Sequence, residues 1–446
     1  IRDVAVTGVQ TCALPISGRL ALDRDGEERI RDAIERLLAR QGANGSFGLW
    51  SVGGDDIWLD AYVTDFLSRA RERKFAVPDE SFQMAIDRLR NYVATAPEPK
   101  KNGGRELAYA LYVLARNGAA PVGDLRYIAD SQTGDLATPI AKAQIAAALG
   151  MLGDRIRAER VFAAALGAIP QQPVLQAGRS DFGSMLRDSA ALVTLASEGN
   201  APRATVEAAV QRVDSARGLA SQLSTQEQAW LVLAARAIGK ESGAITLDVA
   251  GRRQKGAFFQ GLRPSDLAAP FKVTNTGDTD ARAVLSVSGA PVMPEPAASR
   301  GFKIERLYYT LDGQPADIAK VTQNQRFAVV LRVTEAQPQF GRIIVADYLP
   351  AGFEIDNPRL VSSGETGKLN WIENAAEPVN AQFRDDRFTA AFTRSKDDKA
   401  VFTVAYVVRA VSPGRYVLPQ AVVEDMYRPD RFGRTDTGTL EIGTTP

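Results

Sequence analysis

The spacing of apolar residues changes once along this chain, and the change predicts a helical region followed by a β region. Up to about residue 240, apolar residues recur every three to four positions, as in Phe82, Ile86 and Leu89. That is the period of an amphipathic helix. Beyond that point apolar residues fall at every second position, as in Phe402 and Val404, which is typical of half-buried strands. A multidomain chain, α then β, follows from this change.

Similar segments recur in the helical region. Prolines between the apolar stripes divide it into about nine to eleven helices. The segments at 59–67, 107–114, 187–193 and 226–233 resemble one another. Interpreted as a loose, irregular repeat of roughly 36 to 48 residues with two helices in each, they predict an array of helical hairpins. Alanines at matching positions allow close packing around a shared centre. They favour an α/α toroid over an open solenoid.

Changes in composition divide the chain into domains. We predict an α/α toroid at 18–240, a small β unit at 241–297 and an antiparallel β-sandwich at 298–446. Met293-Pro294-Glu295-Pro296 reads as the linker before the sandwich. Turn signals such as Asp312-Gly313 and Pro413-Gly414 separate the strands of the last domain. Such a series of short strands with turns between them is typical of sandwiches.

The first residues do not read as part of a natural domain. Positions 6–16 look like the translation of a common sequencing adapter, and the chain opens at Ile1 without a methionine. We therefore expect 1–17 to be an artefact and exclude it from fold reasoning. Cys12, the only cysteine, is then not a residue of the natural protein.

The composition excludes several classes of site. The chain contains no histidine, which excludes Ser-His-Asp triads and histidine metal sites. Lys and Arg number 54 against 53 Asp and Glu, a balance that argues against a nucleic-acid partner. Runs of apolar residues and glycine, such as 161–169, reach nine residues at most, far short of the ~20 residues of a membrane span. We find no nucleotide loop or hydrolase elbow, and we predict no cofactor, no metal and no enzymatic activity.

A glycine-rich segment between two helices, followed by aromatic residues, is the most informative motif. Its glycines are expected to allow a positive φ or a close approach of the backbone. The aromatic side chains are candidates for the end wall of the toroid, or they simply pack the helix ends. The candidate residues are Gly45, Phe47, Gly48, Trp50, Trp58, Asp60 and Tyr62.

Two parts of the chain carry a resemblance to a known family. The segments 44–50 and 58–67 resemble the thioester domain of the α2-macroglobulin family, with the bacterial branch fitting best. Parts of the tail are similar to the C-terminal macroglobulin domain of that family. The matches run in the same order over all but the first 17 or so residues. The tail segments are 347–354, 383–388, 409–414 and 424–429.

The resemblance implies the C-terminal part of a protease trap. In this family a bait region is cut, the molecule closes around the protease, and a thioester between a Cys and a Gln captures it. The Cys-x-x-Gln motif would lie just upstream of the segment that starts at Gly18. Cys12 is rejected for this role because Pro15 stands where the Gln should be. The seven candidates would form the toroid wall near the thioester, and 241–297 would be a CUB-like segment.

The same resemblance implies partners and a location. The chain would house and shield the thioester site of a broad-spectrum endopeptidase inhibitor, and alone it would be inert. Target proteases and the missing N-terminal macroglobulin domains would be its partners. The location would be the periplasm, with an inner-membrane lipoprotein as one form of the full-length protein. Some bacterial members lack a thioester, so the resemblance leaves its presence open.

Two other functions are compatible with a helical array. The segment 41–47 resembles the Gln-Trp motif of triterpene cyclases, but it occurs once, and no Asp-x-Asp-Asp pattern accompanies it. A cyclase needs an aromatic-lined cavity that contains an acid, whereas a thioester domain should have an aliphatic interior. The other alternative is a free-standing protein-interaction module, which would expose a contiguous apolar patch.

Overall fold

The computed structural model describes most of the chain and divides it into two compact units. The predicted adapter segment and Cys12 lie outside the described residues. The helical unit comprises the described residues within 1–175, 183–220 and 225–288, and the sandwich unit comprises those within 176–182, 221–224 and 289–446. The described residues are 24–170, 179–217, 223–239, 245–256, 258, 260–278, 293–318, 320–356, 369 and 371–444.

The described part of the helical unit contains eleven α-helices. Several begin where the sequence supplies a cap: Asp56 accepts a hydrogen bond from the Leu59 N–H, and Thr138 and Ser184 cap two later helices in the same way. The helices are α1 Arg24–Leu38, α2 Ile57–Glu72, α3 Asp79–Thr95, α4 Pro99–Asn102, α5 Arg105–Arg116, α6 Val122–Tyr127, α7 Pro139–Met151, α8 Arg155–Gly167, α9 Met185–Glu198, α10 Arg203–Arg217 and α11 Thr225–Gly239.

Alternate helices of this unit are buried on nearly all sides. Helices α2, α5, α7 and α9 form a series in which each packs on the next, and α11 packs on α9. Helices α3 and α8 bury only a few residues each, as expected for an outer layer. Small residues allow the inner helices to approach closely: a Cβ added to Gly150 would lie 2.1 Å from the Gly199 carbonyl oxygen.

A small antiparallel sheet follows the helices within the same unit. Strands β1 Thr246–Val249, β2 Arg252–Lys255 and β3 Val273–Asn275 lie in the order β2-β1-β3. The two-residue turn between β1 and β2 places Ala250 at φ 51° and Gly251 at φ 84°. Two positive φ values are what a tight hairpin turn of this length requires.

The sandwich unit places its core between sheets of six and four strands. Their order is β10-β11-β8-β14-β15-β4 and β5-β7-β12-β9, and a third sheet has the order β13-β16-β6. The strands are β4 Ala298–Arg300, β5 Phe302–Tyr309, β6 Lys320–Thr322, β7 Arg326–Glu335, β8 Gly341–Tyr348, β9 Phe353–Ile355, β10 Asn380–Phe383, β11 Arg387–Arg394, β12 Val401–Ala410, β13 Gly414–Leu418, β14 Ala421–Asp425, β15 Arg428–Arg434 and β16 Gly438–Gly443.

The apolar side chains that alternate along the sequence of β12 fill part of the core of the sandwich. Phe402, Val404, Tyr406 and Val408 all belong to one buried cluster. The predicted order, helices and then antiparallel sheets, is confirmed. One described pair departs from it, since β16 runs parallel to β6. The toroid and the CUB-like unit stay predictions.

A buried ion pair joins three strands of the sandwich. The Arg306 guanidinium on β5 lies 2.6 Å from a carboxylate oxygen of Asp347 on β8. The Tyr406 hydroxyl on β12 donates to the other oxygen at 2.8 Å, and Arg306 also donates to the Pro419 carbonyl at 2.8 Å. Both charged side chains are almost inaccessible to solvent, with 5% and 1% exposed. Their charges are therefore stable only as a pair.

Candidate functional site

Residues 41–54, which we call the Gly-rich loop, form a compact turn between α1 and α2. The Gly42 N–H donates to the Ser46 carbonyl at 2.8 Å, and the Gly45 N–H donates back to the Gly42 carbonyl at 2.9 Å. The Gly48 and Gly53 N–H groups both donate to the Arg40 carbonyl. The loop therefore pairs much of its backbone N–H and C=O groups within itself and with Arg40, which gives it a defined conformation.

Two glycines of this loop are required by sterics. Gly45 has a φ of 80°, and a Cβ there would lie 2.2 Å from the Met84 carbonyl oxygen of α3. Gly48 does not lie in the left-handed region, but a Cβ there would lie 1.9 Å from the Ser51 carbonyl oxygen. The close approach expected of these two glycines thus has different partners: α3 for Gly45 and the loop itself for Gly48.

Replacing Gly45 by Ala is expected to lower the free energy of unfolding by about 2–4 kcal/mol, since backbone strain and a clash add together. Gly118→Ala is the matched control: its φ is 70°, but no atom lies within 4 Å of the added Cβ. That variant should lose only about 1 kcal/mol. Urea unfolding followed by circular dichroism measures both. Equal losses would mean that the contact with α3 contributes nothing.

Asp60 on α2 holds the Gly-rich loop in place through hydrogen bonds. Its carboxylate accepts a hydrogen bond from the Phe47 N–H at 2.7 Å and another from the Arg88 guanidinium of α3 at 3.1 Å. Phe47 and Asp60 are each 1% exposed. Burial raises the pKa of Asp60 to about 6, although the Phe47 N–H and Arg88 act to lower it. Loop, α2 and α3 therefore meet at one carboxylate.

Two of the remaining candidates, Trp58 and Tyr62, form an aromatic cluster with Tyr109 near the start of α2. The rings of Trp58 and Tyr62 stack at 5.2 Å, and Tyr109 of α5 meets Trp58 edge-on at 5.8 Å. Trp58 is buried, whereas Tyr62 and Trp50 are half-buried. Phe47 and Asp60 contact each other directly, while no ring stacking involves Trp50 among the described residues. A position beside a thioester stays a prediction for all seven residues.

A buried network of charges lies further along α2, and sequence analysis did not find it. Arg69 donates from Nε to Asp65 at 2.9 Å, from Nη1 to Glu198 of α9 at 2.7 Å, and from Nη2 to the Tyr112 hydroxyl of α5 at 2.8 Å. The Tyr109 hydroxyl donates to Asp65 at 3.2 Å. The only local signal is the spacing of four between Asp65 and Arg69. Glu198 lies 129 positions from Arg69.

Glu198 is the acidic centre of this network. It also receives a hydrogen bond from Tyr112 at 2.5 Å and lies 3.1 Å from Arg116. Burial acts to raise its pKa, but the two arginines outweigh that effect and lower the pKa to about 2. The Glu198 carboxylate is therefore ionised throughout the physiological pH range.

The network borders a cavity of about 220 Å³. Residues from both α2 and α11 line it. Since arginines and glutamates occur together in its wall, their charges largely neutralise one another. Among the described residues there is no group of three or more acidic, cysteine or histidine side chains that could hold a metal. The lining includes Arg69, Glu72, Arg116, Glu198, Leu233 and Arg236.

Comparisons with known proteins agree with one another. The family model described as the bacterial alpha-2-macroglobulin MG10 domain matches residues 301–430. Alpha-2-macroglobulin of Escherichia coli K12 is 32% identical over 435 residues, and the match covers 92% of this chain and 26% of the relative. The protein of that name from Xylella fastidiosa strain Temecula1 is 31% identical, covering 90% and 26%. The chain thus spans about a quarter of the length of these curated relatives.

Solved structures show the same similarity in three dimensions. Salmonella alpha-2-macroglobulin reacted with methylamine superimposes with a TM-score of 0.78 at 31% identity, covering 98% of this chain and 30% of that one. The native E. coli protein, from domain MG7 to the C-terminus, gives a TM-score of 0.75 at 29% identity, covering 94% and 68%. Both units therefore have counterparts in these proteins.

Proposed function

Since the chain belongs to the bacterial α2-macroglobulin family, we propose that it is part of a broad-spectrum endopeptidase inhibitor that traps proteases. Its helical and sandwich units would house and shield the thioester site. The described residues contain no cysteine, so another part of the longer polypeptide would supply the Cys-x-x-Gln motif. The chain would act as a binding and capture component and not as an enzyme.

The observation that carries this proposal is the match to the methylamine-reacted Salmonella protein, which covers 98% of this chain. Methylamine is a small nucleophile of the kind that opens a thioester. Its nitrogen bonds to the acyl carbon, the carbon–sulfur bond breaks, and the nitrogen's proton ends on the released thiol. A lysine of a trapped protease would react in the same way, which would attach the protease covalently.

The arrangement of the inner helices supports a closed ring of the thioester-domain type. Helices α2 and α11 lie at the two ends of the packed series, yet both line the same cavity. The inner helix α7 is filled with buried alanine, isoleucine and leucine, as expected for an aliphatic interior. The cavity is lined by paired charges, unlike the aromatic cavity with an acid that a cyclase requires.

Family membership also supports a location and partners for the longer protein. We infer a periplasmic protein whose further macroglobulin domains and target proteases contact this region. A lipoprotein attached to the inner membrane is one form that it could take. Within the described ranges, no helix is both long and apolar enough to cross a membrane.

A chimera tests the proposal: residues 18–446 replace the matched region of Salmonella alpha-2-macroglobulin. We expect the chimera to form conjugates with trypsin that survive denaturing electrophoresis, and pretreatment with methylamine to abolish them. The isolated chain should form none. A chimera that folds, as judged by circular dichroism and monomer mass, but forms no conjugates would contradict the proposed role. Conjugates with the isolated chain would contradict the absence of a reactive centre.

A further inference from the structure

The attachment of the Gly-rich loop depends on one buried acid. Asp60 lies under Phe47, the most deeply buried aromatic residue of the loop, and accepts its N–H. We propose that docking of the loop is linked to the proton on Asp60: proton uptake fastens the loop to α2 and α3, and proton release loosens it. The inference rests on the loop contacts and does not require protease trapping.

The charges that face Asp60 do not balance it completely. Arg88 of α3 is the one cation paired with it among the described residues, and its side chain is 21% exposed. Arg88 also lies 3.7 Å from Asp55, which is fully exposed. Asp56, the cap of α2, adds a second negative charge that acts against ionisation. An ionised Asp60 in the docked state is thus buried with only a shared partner.

The direction of the linkage follows from which state holds the proton more tightly. With the loop docked, burial raises the pKa of Asp60 from the ordinary 3.8 to about 6. With the loop open, water reaches the carboxyl and the pKa returns towards the ordinary value. Because the docked state has the higher pKa, acid favours it and a rise of pH through about 6 disfavours it. If docking of the loop depended mainly on the ion pair between Asp60 and Arg88, it would show the opposite dependence on pH.

Hydrogen exchange of the Phe47 amide measures the docking directly. After correction for the intrinsic exchange rate, we expect protection about tenfold higher near pH 5 than near pH 7.5, which is the shift these two pKa values produce. The amide of Leu67, inside α2 and fully buried, exchanges only through unfolding of the helix, so lower protection at Phe47 than at Leu67 at both pH values identifies exchange through loop opening, and equal protection at the two amides would overturn the proposal. Protection that is unchanged, or that falls in acid, would overturn the proposal.

Matched variants separate the proton from the fold. Asp60→Asn keeps the shape of the side chain but carries no charge, so protection of Phe47 should lose its pH dependence and stay at the acid level. Asp87→Asn is the control, since Asp87 lies on α3 but pairs with Arg90 at the surface; its profile should match the unmodified chain. A pH dependence that survives in Asp60→Asn would overturn the proposal.

Arg88→Met provides a test that does not alter Asp60 itself. Removal of the cation makes ionisation in the docked state harder, so the midpoint of the profile should move to higher pH. This variant keeps the proposal testable if Asp60→Asn does not fold. A midpoint that stays in place or moves to lower pH would show that Asp60 is not the group that titrates.

Discussion

Asp347→Ala is expected to lower the free energy of unfolding of the sandwich unit by about 3–5 kcal/mol, since removal of one partner leaves the other charge buried and unpaired. The stranded group is Arg306, 5% exposed, and the Tyr406 hydroxyl also loses its acceptor. Urea-dependent native-state hydrogen exchange of the Val329 and Val408 amides, on β7 and β12, measures the loss within this unit.

Two further variants decide whether the pair itself is responsible. Asp386→Ala removes an exposed partner of Arg387 and should change stability by at most about 1 kcal/mol. The double variant Arg306→Met/Asp347→Leu removes both charges and should recover most of the loss, because apolar residues can replace a buried ion pair. A loss below about 1 kcal/mol in Asp347→Ala would contradict the importance of the pair.

Arg69→Met is expected to destabilise the helical unit by a similar amount, about 3–5 kcal/mol. The substitution leaves the carboxylates of Asp65 and Glu198 without their shared cation, and three inner helices lose a common contact. Thermal and urea unfolding followed by helical circular dichroism measures the effect. Arg203→Met is the matched control because Arg203 pairs with Glu207, four residues further along the same helix, on an exposed surface. It should change stability by less than about 0.5 kcal/mol.

The pH dependence of the Arg69 effect has a definite sign. The pKa of Glu198 is lowered from the ordinary 4.5 to about 2 in the folded chain. Its stabilising contribution is therefore complete above about pH 4.5 and is lost as the pH falls through about 2. The difference between the unmodified chain and Arg69→Met should narrow over that range. Equal effects of Arg69→Met and Arg203→Met at neutral pH would contradict the model of a buried network.

Much of the candidate site could be predicted from short-range patterns. Glycines beside aromatic residues at 44–50 indicated a tight turn, and Gly45 indeed requires its left-handed φ. The sequence named Asp60 as a candidate residue, but it could not predict that the Asp60 carboxylate holds this turn in place. Its hydrogen bond to Phe47 spans 13 residues, and its partner Arg88 lies 28 residues away. Local patterns carry no information on which side chains meet over such separations.

Sequence alone determined the type and order of the elements, because the period of apolar residues is set within single helices and strands. It also determined the family, because short motifs keep their order along the chain. Only the tertiary structure decided which charges pair, as with Arg69 and Glu198, and that β6 runs parallel to β16. Such contacts are settled by burial: a charge removed from water must find its partner wherever the packing of distant elements places one.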